Sequence, residues 1–385
     1  MKKINSLLFS LLLCIALVII SVFLMIQMYQ EASAKETAPL QIHLHEAKQT
    51  VSLSKTVIET VTIGGIGDIL IHDWVYNDAK AAAGYNFKPM FEQVKPLLQQ
   101  PDVLLANQET ILGGKTFGIS SYPLFNSPQE VGDALIDAGV DIVSTANNHS
   151  LDKGEKGQIA SLNYMDQIGL SHVGTYRSHE DKQKLKVITK NGIKIGFLSY
   201  TYGTNGIPVP EGKEYLVNLI DKEAIKQEIY RAKGVADVLI MSIHWGNEYQ
   251  RYPVEAQIEL AQFLADEGID VIFGHHPHVL QPMSWIKAKD GRDVFVVYSL
   301  GNFLSGQYHD YKDIGGMATV EITKEVYDGG KKITINNPQF YPTYVSNKGL
   351  KQYRIVPLQN AASYGLKNAE NKYKEIQQHM LGGLK

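Results

Sequence analysis

From Val61 onward the chain alternates short apolar runs with polar loops and amphipathic stretches. The runs are Val61–Ile66, Val103–Ala106, Ile142–Ser144, Ile193–Tyr200, Val238–Ile243, Val271–Phe273 and Val294–Tyr298. Each has the length of a buried strand. Between them, helical spacing puts Phe87, Met90, Phe91, Val94, Leu97 and Leu98 on one face, and Val131, Leu135 and Ala138 on another. A third helical face is formed by Ile258, Ala261, Phe263 and Leu264, between Pro253 and Gly268. Strands alternating with helices predict a largely parallel sheet, covered by helices on both sides, with sites at the carboxyl ends of its strands. After Gly315 the pattern changes. Met317–Ile322, Lys332–Ile335 and Tyr353–Pro357 read as short antiparallel strands, with a turn at Asp328–Gly330. Residues 361–385 read as a polar helix. The resulting division is residues 1–30, a polar tether over 31–59, a main domain over 60–315 and a C-terminal extension over 316–385.

The first of these segments is of another kind. Lys2 and Lys3 precede an almost unbroken apolar run from Leu7 to Met28. A helix needs about 20 such residues to span the hydrocarbon core. Lysines before the run, with no basic cluster just after it, place the N-terminus in the cytoplasm and the rest of the chain outside. Ala32-Ser33-Ala34 also resembles a signal-peptidase site, but the run exceeds the usual apolar region of a cleaved signal. The expectation is a retained single-pass anchor.

Composition narrows the chemistry. The chain has 385 residues, 44% hydrophobic, enough to bury a large core. Its net charge of -3 offers no basic excess for a nucleic-acid partner. The sole cysteine, Cys14, lies in the N-terminal apolar run. A metal bound elsewhere must therefore be held by nitrogen and oxygen.

Such ligands stand where the strand rhythm expects them. Asp68 follows the first run, Asn107 and Glu109 the second, and Asn147, Asn148 and His149 the third. His244 follows Val238–Ile243, and His275, His276 and His278 follow Val271–Phe273 and Gly274. Five of the 12 histidines lie at strand ends. One Asp, one Glu, one Asn and three His form a donor set suited to two divalent ions such as Mn²⁺, Fe²⁺ or Zn²⁺. Two ions about 3.5–4 Å apart polarise a phosphoryl oxygen and lower the pKa of water. Glu109 is the candidate bridging carboxylate, and His149 the candidate general acid. Asn107, Trp245 and Asn302 are the candidates for contacting substrate, although Asn302 after Gly301 also reads as a turn residue. Tyr200 and Tyr202 read either as a cleft wall or as packing.

Gly67-Asp68, Asn107-x-Glu109, Asn148-His149-Ser150, His244-Trp245-Gly246, His276-Pro277-His278-Val279-x-Gln281 and Ser299-Leu-Gly-Asn-Phe303 occur in this order. Together they resemble the CapA/PgsA-type capsule (poly-γ-glutamate) synthesis family, itself similar to the calcineurin-like metallophosphoesterases. The resemblance implies a four-layer αββα sandwich over a dinuclear site. It implies Asp68, Glu109 and His278 around a first ion. Around a second it implies bridging Glu109, Asn148, His244 and His276, with His149 as the acid. Leu70 stands where the wider pattern has a histidine, with His72 as a stand-in, and Glu109 replaces the usual aspartate. The first site is therefore expected to be the weaker. The implied function is capsule polymer synthesis or export, by hydrolysis or transfer on a phosphoester or on the polymer. The alternative is a non-hydrolytic polymer-binding component of a membrane polyglutamate synthase.

If the apolar run is a retained anchor, protease added to intact protoplasts should release the bulk of the chain. A mature chain beginning at Lys35 would instead establish cleavage.

Overall fold

A computed structural model describes residues 2–36 and 56–384. The chain divides into two units, Met1–Ser54 and Lys55–Lys385. In the first, Lys2–Glu36 is a single helix. Its Leu8–Ser33 segment is long and apolar enough to cross a membrane, a property shared by anchors and signal sequences. Most of the expected tether lies outside the described residues. Its last residues do not, because the first strand already begins at Val57.

The second unit contains β1 (Val57–Leu70), β2 (Val103–Gln108), β3 (Ile142–Ser144), β4 (Ser171–Val173), β5 (Lys186–Lys190), β6 (Ile193–Thr201) and β7 (Val238–His244). It continues with β8 (Val271–His275), β9 (Leu280–Lys287), β10 (Asp293–Leu300), β11 (Asn302–Ser305), β12 (Ile314–Tyr327), β13 (Gly330–Ser346) and β14 (Arg354–Pro357). The single sheet expected from periodicity is two sheets. One runs β14-β13-β12-β1-β2-β3-β4, with β11 pairing the end of β1, and the other runs β5-β6-β7-β8-β10-β9. Their centres are parallel, β1 to β4 in one and β6, β7, β8 and β10 in the other, and antiparallel strands extend the edges.

Alternation along the strands builds the layers. Ile63, Val103 and Leu105 face Ile195, Ile240 and Phe273 in a core between the sheets. The intervening residues Leu104, Ala106 and Val143 turn outward onto Phe91, Leu98, Leu135 and Leu162 of the covering helices. On the far side, Leu239 and Met241 meet Ile225, Ile229, Ala261 and Leu264 of the helices Lys222–Lys233 and Glu255–Glu267. This is the four-layer αββα order, and it explains why the strands are apolar on both faces. Each large apolar side chain so buried contributes about 1.5–3 kcal/mol. The helices have local signals too. Asp221 caps Lys222–Lys233 by accepting from the Ala224 N–H at 2.8 Å. Glu130–Ala138, Gly154–Ile168 and Glu255–Glu267 each stop at a left-handed glycine.

The boundary expected at 315/316 falls inside β12. That strand pairs antiparallel with β1 from Val57↔Val326 to Ile66↔Met317. The helix Ala369–Leu381 adds Ala369, Ile376 and Met380 to the core between the sheets. The C-terminal residues therefore complete the first sheet rather than extend it.

Two close approaches aim the strand ends. At Gly67 an added Cβ would lie 1.9 Å from the Gly301 carbonyl oxygen, and that carbonyl accepts the Asp68 N–H at 2.9 Å. At Gly274 an added Cβ would lie 2.1 Å from the Tyr298 carbonyl oxygen. Only glycine allows backbone to pass this near to backbone. Gly67→Ala is expected to cost about 3 kcal/mol by overpacking, seen as a lower urea midpoint with an unchanged slope. An unaltered midpoint would show that the β1–β11 junction is looser than described.

Candidate metal centre

The site lies where the carboxyl ends of the two sheets meet. Asp68 stands near the end of β1, where a register shift follows Ile66. Glu109 follows β2, and Asn148 and His149 sit on the loop after β3. That loop is fixed by its own polar groups: Asn147 Nδ2 donates to the Gln108 carbonyl and Asn147 Oδ1 accepts the His149 N–H, both at 2.9 Å. The second sheet supplies His244 at the end of β7, and His276 and His278 just beyond β8. His276 and His278 have φ of 97° and 58°. Such left-handed conformations cost a non-glycine residue roughly 1–2 kcal/mol each.

Side chains from the two sheets interlock across the seam. His278 Nδ1 lies 3.2 Å from Asp68 Oδ2, and His244 Nε2 lies 2.9 Å from Asn148 Oδ1. Between them sits Glu109, fully buried, with neither carboxylate oxygen hydrogen-bonded. His244 Nε2 and His278 Nε2 are each 3.7 Å from Glu109 Oε1. Besides a group of Glu248, His276 and His278, ligand-type atoms gather in two groups that share this carboxylate. Asp68, Glu109 and His278 form one and Glu109, His244 and His276 the other, all within 4.8 Å of one another inside each group.

Charge in this cluster is unsettled. Burial pushes the Glu109 carboxyl well above its ordinary range. Burial also opposes ionisation of Asp68, but the imidazoles of His275 and His278 outweigh it and hold that carboxyl low. His278 is drawn the other way: burial disfavours its charge, yet Glu109 and Asp68 raise it to about 9. Burial lowers His244 well below its usual value and His276 to about 3. The pocket thus favours neutral imidazoles at His244 and His276, while Asp68 and Glu109 draw positive charge to His278. An orphaned buried carboxylate costs several kcal/mol unless a cation lies against it. The donor set fits divalent ions of the Mn, Fe or Zn kind, with Glu109 between two positions.

Other expected residues prove to be supports. Asn107 is fully buried, donates Nδ2 to Asp68 Oδ1 at 2.8 Å and fixes that carboxylate rather than facing a substrate. Asn302 is also fully buried, with Oδ1 3.1 Å from His278 Nδ1, so it orients the histidine. Trp245 does not line the cleft. As the residue after His244 it points to the opposite face, stacks on Tyr298 and donates to that residue's carbonyl at 2.9 Å. Tyr200 is buried and hydrogen-bonds Glu228, whereas Tyr202 remains half exposed with its ring 4.7 Å from that of His276. His275 is buried, 3.5 Å from Asp68 Oδ1 and without a hydrogen bond. Leu70 leaves an apolar wall where a ligand was missing. His72 does not replace it: its Nδ1 accepts the Gly306 N–H at 3.2 Å and its ring stacks on Trp74.

A cavity of ≈ 500 Å³ opens beside these groups, lined in part by His149, His278, Glu248 and Lys312. His149 Nδ1 lies 2.8 Å from Asp152 Oδ2, which leaves Nε2 as the free ring nitrogen. Asp152 and Glu248 are not evident from strand ends alone. Asp152 follows His149 by three residues, and Glu248 lies on the loop after β7, with a carboxylate oxygen 4.0 Å from His278 Nε2.

The family model of the bacterial capsule synthesis protein PGA_cap matches residues 62–307, which contain every residue of both ligand groups. The chain belongs to this family. Over 259 residues it is 29% identical to the capsule biosynthesis protein CapA of Bacillus anthracis, covering 65% of this chain but only 61% of that protein. Over 295 residues it is 28% identical to the PGA biosynthesis protein CapA of Bacillus subtilis (strain 168), covering 76% and 75% of the two chains. Among solved structures, NAD nucleotidase of Haemophilus influenzae aligns with a TM-score of 0.45 at 13% identity, over 83% of this chain and 56% of that one. The PGA_cap match runs from Thr62, within β1, to just past β11 and so ends before β12, β13 and β14.

Glu109→Gln should separate ligation from packing. The variant is expected to lose most bound divalent metal by elemental analysis. After chelation it should unfold at a temperature no lower than chelated wild type, because an orphaned charge is gone. Wild-type metal content, or a chelated variant less stable than its parent, contradicts the assignment.

Proposed function

We propose that this PGA_cap-family chain is a membrane-tethered, metal-dependent hydrolase or transferase of capsule polymer synthesis. It would act outside the cytoplasmic membrane on a phosphoester or on the γ-linked amide of poly-γ-glutamate. The observation that carries the reading is Glu109, a buried carboxylate without a hydrogen bond, set among Asp68 and three histidines of which His278 reaches the wall of a cavity.

Each residue has a distinct task in this reading. Asp68, Glu109 and His278 would hold one ion, and Glu109, Asn148, His244 and His276 a second. Ions held there supply Lewis-acid polarisation of the bond to be broken and a nucleophilic water at neutral pH. His149 stands on the cavity wall with Nδ1 bound to Asp152. That contact fixes the ring and makes Nε2 the atom that passes a proton to the leaving group. Asn107 and Asn302 keep Asp68 and His278 in position from behind.

Leu70 favours a second reading. An apolar side chain at a ligand position leaves the first ion with few donors. In that case the chain binds polymer carboxylates through metal, beside polyglutamate synthase subunits, without turnover.

The two readings part on variants of the metal-loaded full chain. His149→Ala should keep its metal and lose on the order of 10²–10⁴-fold in turnover of a chromogenic phosphodiester. Asp152→Asn should lose about 10–100-fold with metal retained. His276→Ala should lose metal and activity together. If His149→Ala loses metal as badly as His276→Ala, the histidine is a ligand and not an acid. If His149→Ala keeps its metal and sustains normal polymer output in cells while metal-free His276→Ala does not, the non-hydrolytic reading stands.

A further inference from the structure

Beside the metal-type groups the cavity has a second chemical character. Trp74, Tyr249 and Tyr308 give it aromatic walls, and Gln307 and Lys312 add polar groups. Among the described residues lining it, Lys312 is the only lysine or arginine. Its ammonium lies 5.2 Å above the Tyr249 ring. The carboxylate nearest it is Asp310 at 3.6 Å, and Asp310 is 88% exposed. An ion pair this open to water neutralises little of the lysine's charge.

The backbone that presents Lys312 is held under strain. His309, Asp310 and Tyr311 have φ of 64°, 48° and 67°, three successive left-handed residues. Strain of this kind persists only where surrounding contacts over-determine it, and it gathers at functional sites. Those contacts are present. Tyr311 is clamped between the Arg251 guanidinium, 3.8 Å from its ring centre, and the Lys372 ammonium at 4.2 Å. Its hydroxyl donates to Glu375 of the C-terminal helix at 2.7 Å. Asn302 ties the loop to the centre: Nδ2 donates to the Lys312 carbonyl at 2.9 Å, while Oδ1 meets His278 Nδ1 at 3.1 Å. Two hydrogen bonds through Asn302 therefore hold the Lys312 backbone in place relative to His278.

We propose that Lys312 is the carboxylate subsite of this cavity and selects a substrate with an acidic group beside the bond at the metal-type centre. The inference rests on the polymer reading above and narrows it to an acidic chain. A γ-linked glutamyl chain carries one α-carboxylate per residue, so placing one linkage at the centre brings a neighbouring carboxylate toward the lysine. A phosphoester of neutral alcohols has no such group. The aromatic walls pack against the methylenes between successive charges.

The test uses the full chain in detergent, loaded with Mn²⁺, and calorimetric titration with two probes. One is γ-linked tetraglutamate and the other is the same chain with its α-carboxylates amidated. Wild type should bind the acidic probe about tenfold or more tightly than the amidated one. Lys312→Met should weaken the acidic probe by about tenfold, the worth of a hydrogen bond to a charged group, and leave the amidated probe within about twofold. Lys312→Arg should restore most of the loss, with metal content at the wild-type level in both variants. Equal weakening of both probes, or undiminished binding of the acidic one by Lys312→Met, overturns the subsite. So does a wild-type chain that does not distinguish the probes. A wild-type chain that holds metal but turns over neither a phosphodiester nor γ-linked tetraglutamate defeats the hydrolase reading alone, because the binding comparison breaks no bond.

Discussion

A carboxylate without a partner cannot rest inside a protein unless positive charge lies beside it. Glu109 is such a group, and the surrounding structure is arranged about its need. The two sheets bring their carboxyl ends to it from opposite sides, His244 and His278 from one and Asp68 from the other. Without a cation, Glu109 and Asp68 favour a proton on His278. A divalent ion satisfies the same need without that proton, which ties metal uptake to proton release. The seam between the sheets and the ligand-type cluster are thus joined at one side chain.

Strain and close approach are spent at the same place. His276 and His278 take left-handed backbone, and Gly67 and Gly274 sit immediately before Asp68 and His275. The loop bearing Lys312 adds three more left-handed residues. Costs of this kind are sustained by the three apolar layers around them, whose contacts do not depend on the site.

Much of this was legible in the sequence because a parallel α/β sheet delivers its functional residues at fixed places. Asp68, Glu109, Asn148, His244, His276 and His278 could be picked out as strand-end residues before any coordinates. Periodicity could not divide the strands between two sheets, since strands apolar on both faces look alike whether the second face meets helices or another sheet. Polar strand-end residues are ambiguous for a related reason. Asn107 and Asn302 could face a ligand or hold one in place, and only their contacts with Asp68 and His278 decide. Trp245, one residue past His244, turns to the opposite face and donates to the Tyr298 carbonyl, a direction its place in the sequence does not reveal. Glu248 and Lys312 lie on loops, where no period marks a side chain's direction. Asp152 was recoverable in principle, since a carboxylate three residues after a histidine can reach its ring.

The pairing of β1 with β12 has a consequence for the order of assembly. The first strand to be synthesised acquires one of its two neighbours only after about 250 further residues have appeared. Contacts this distant along the chain form slowly and leave exposed edges while they wait. Asp68 is carried by that early strand, and its position relies on Gly301 and on β11, both late. The site is therefore complete only once strands from late in the chain lie against the first.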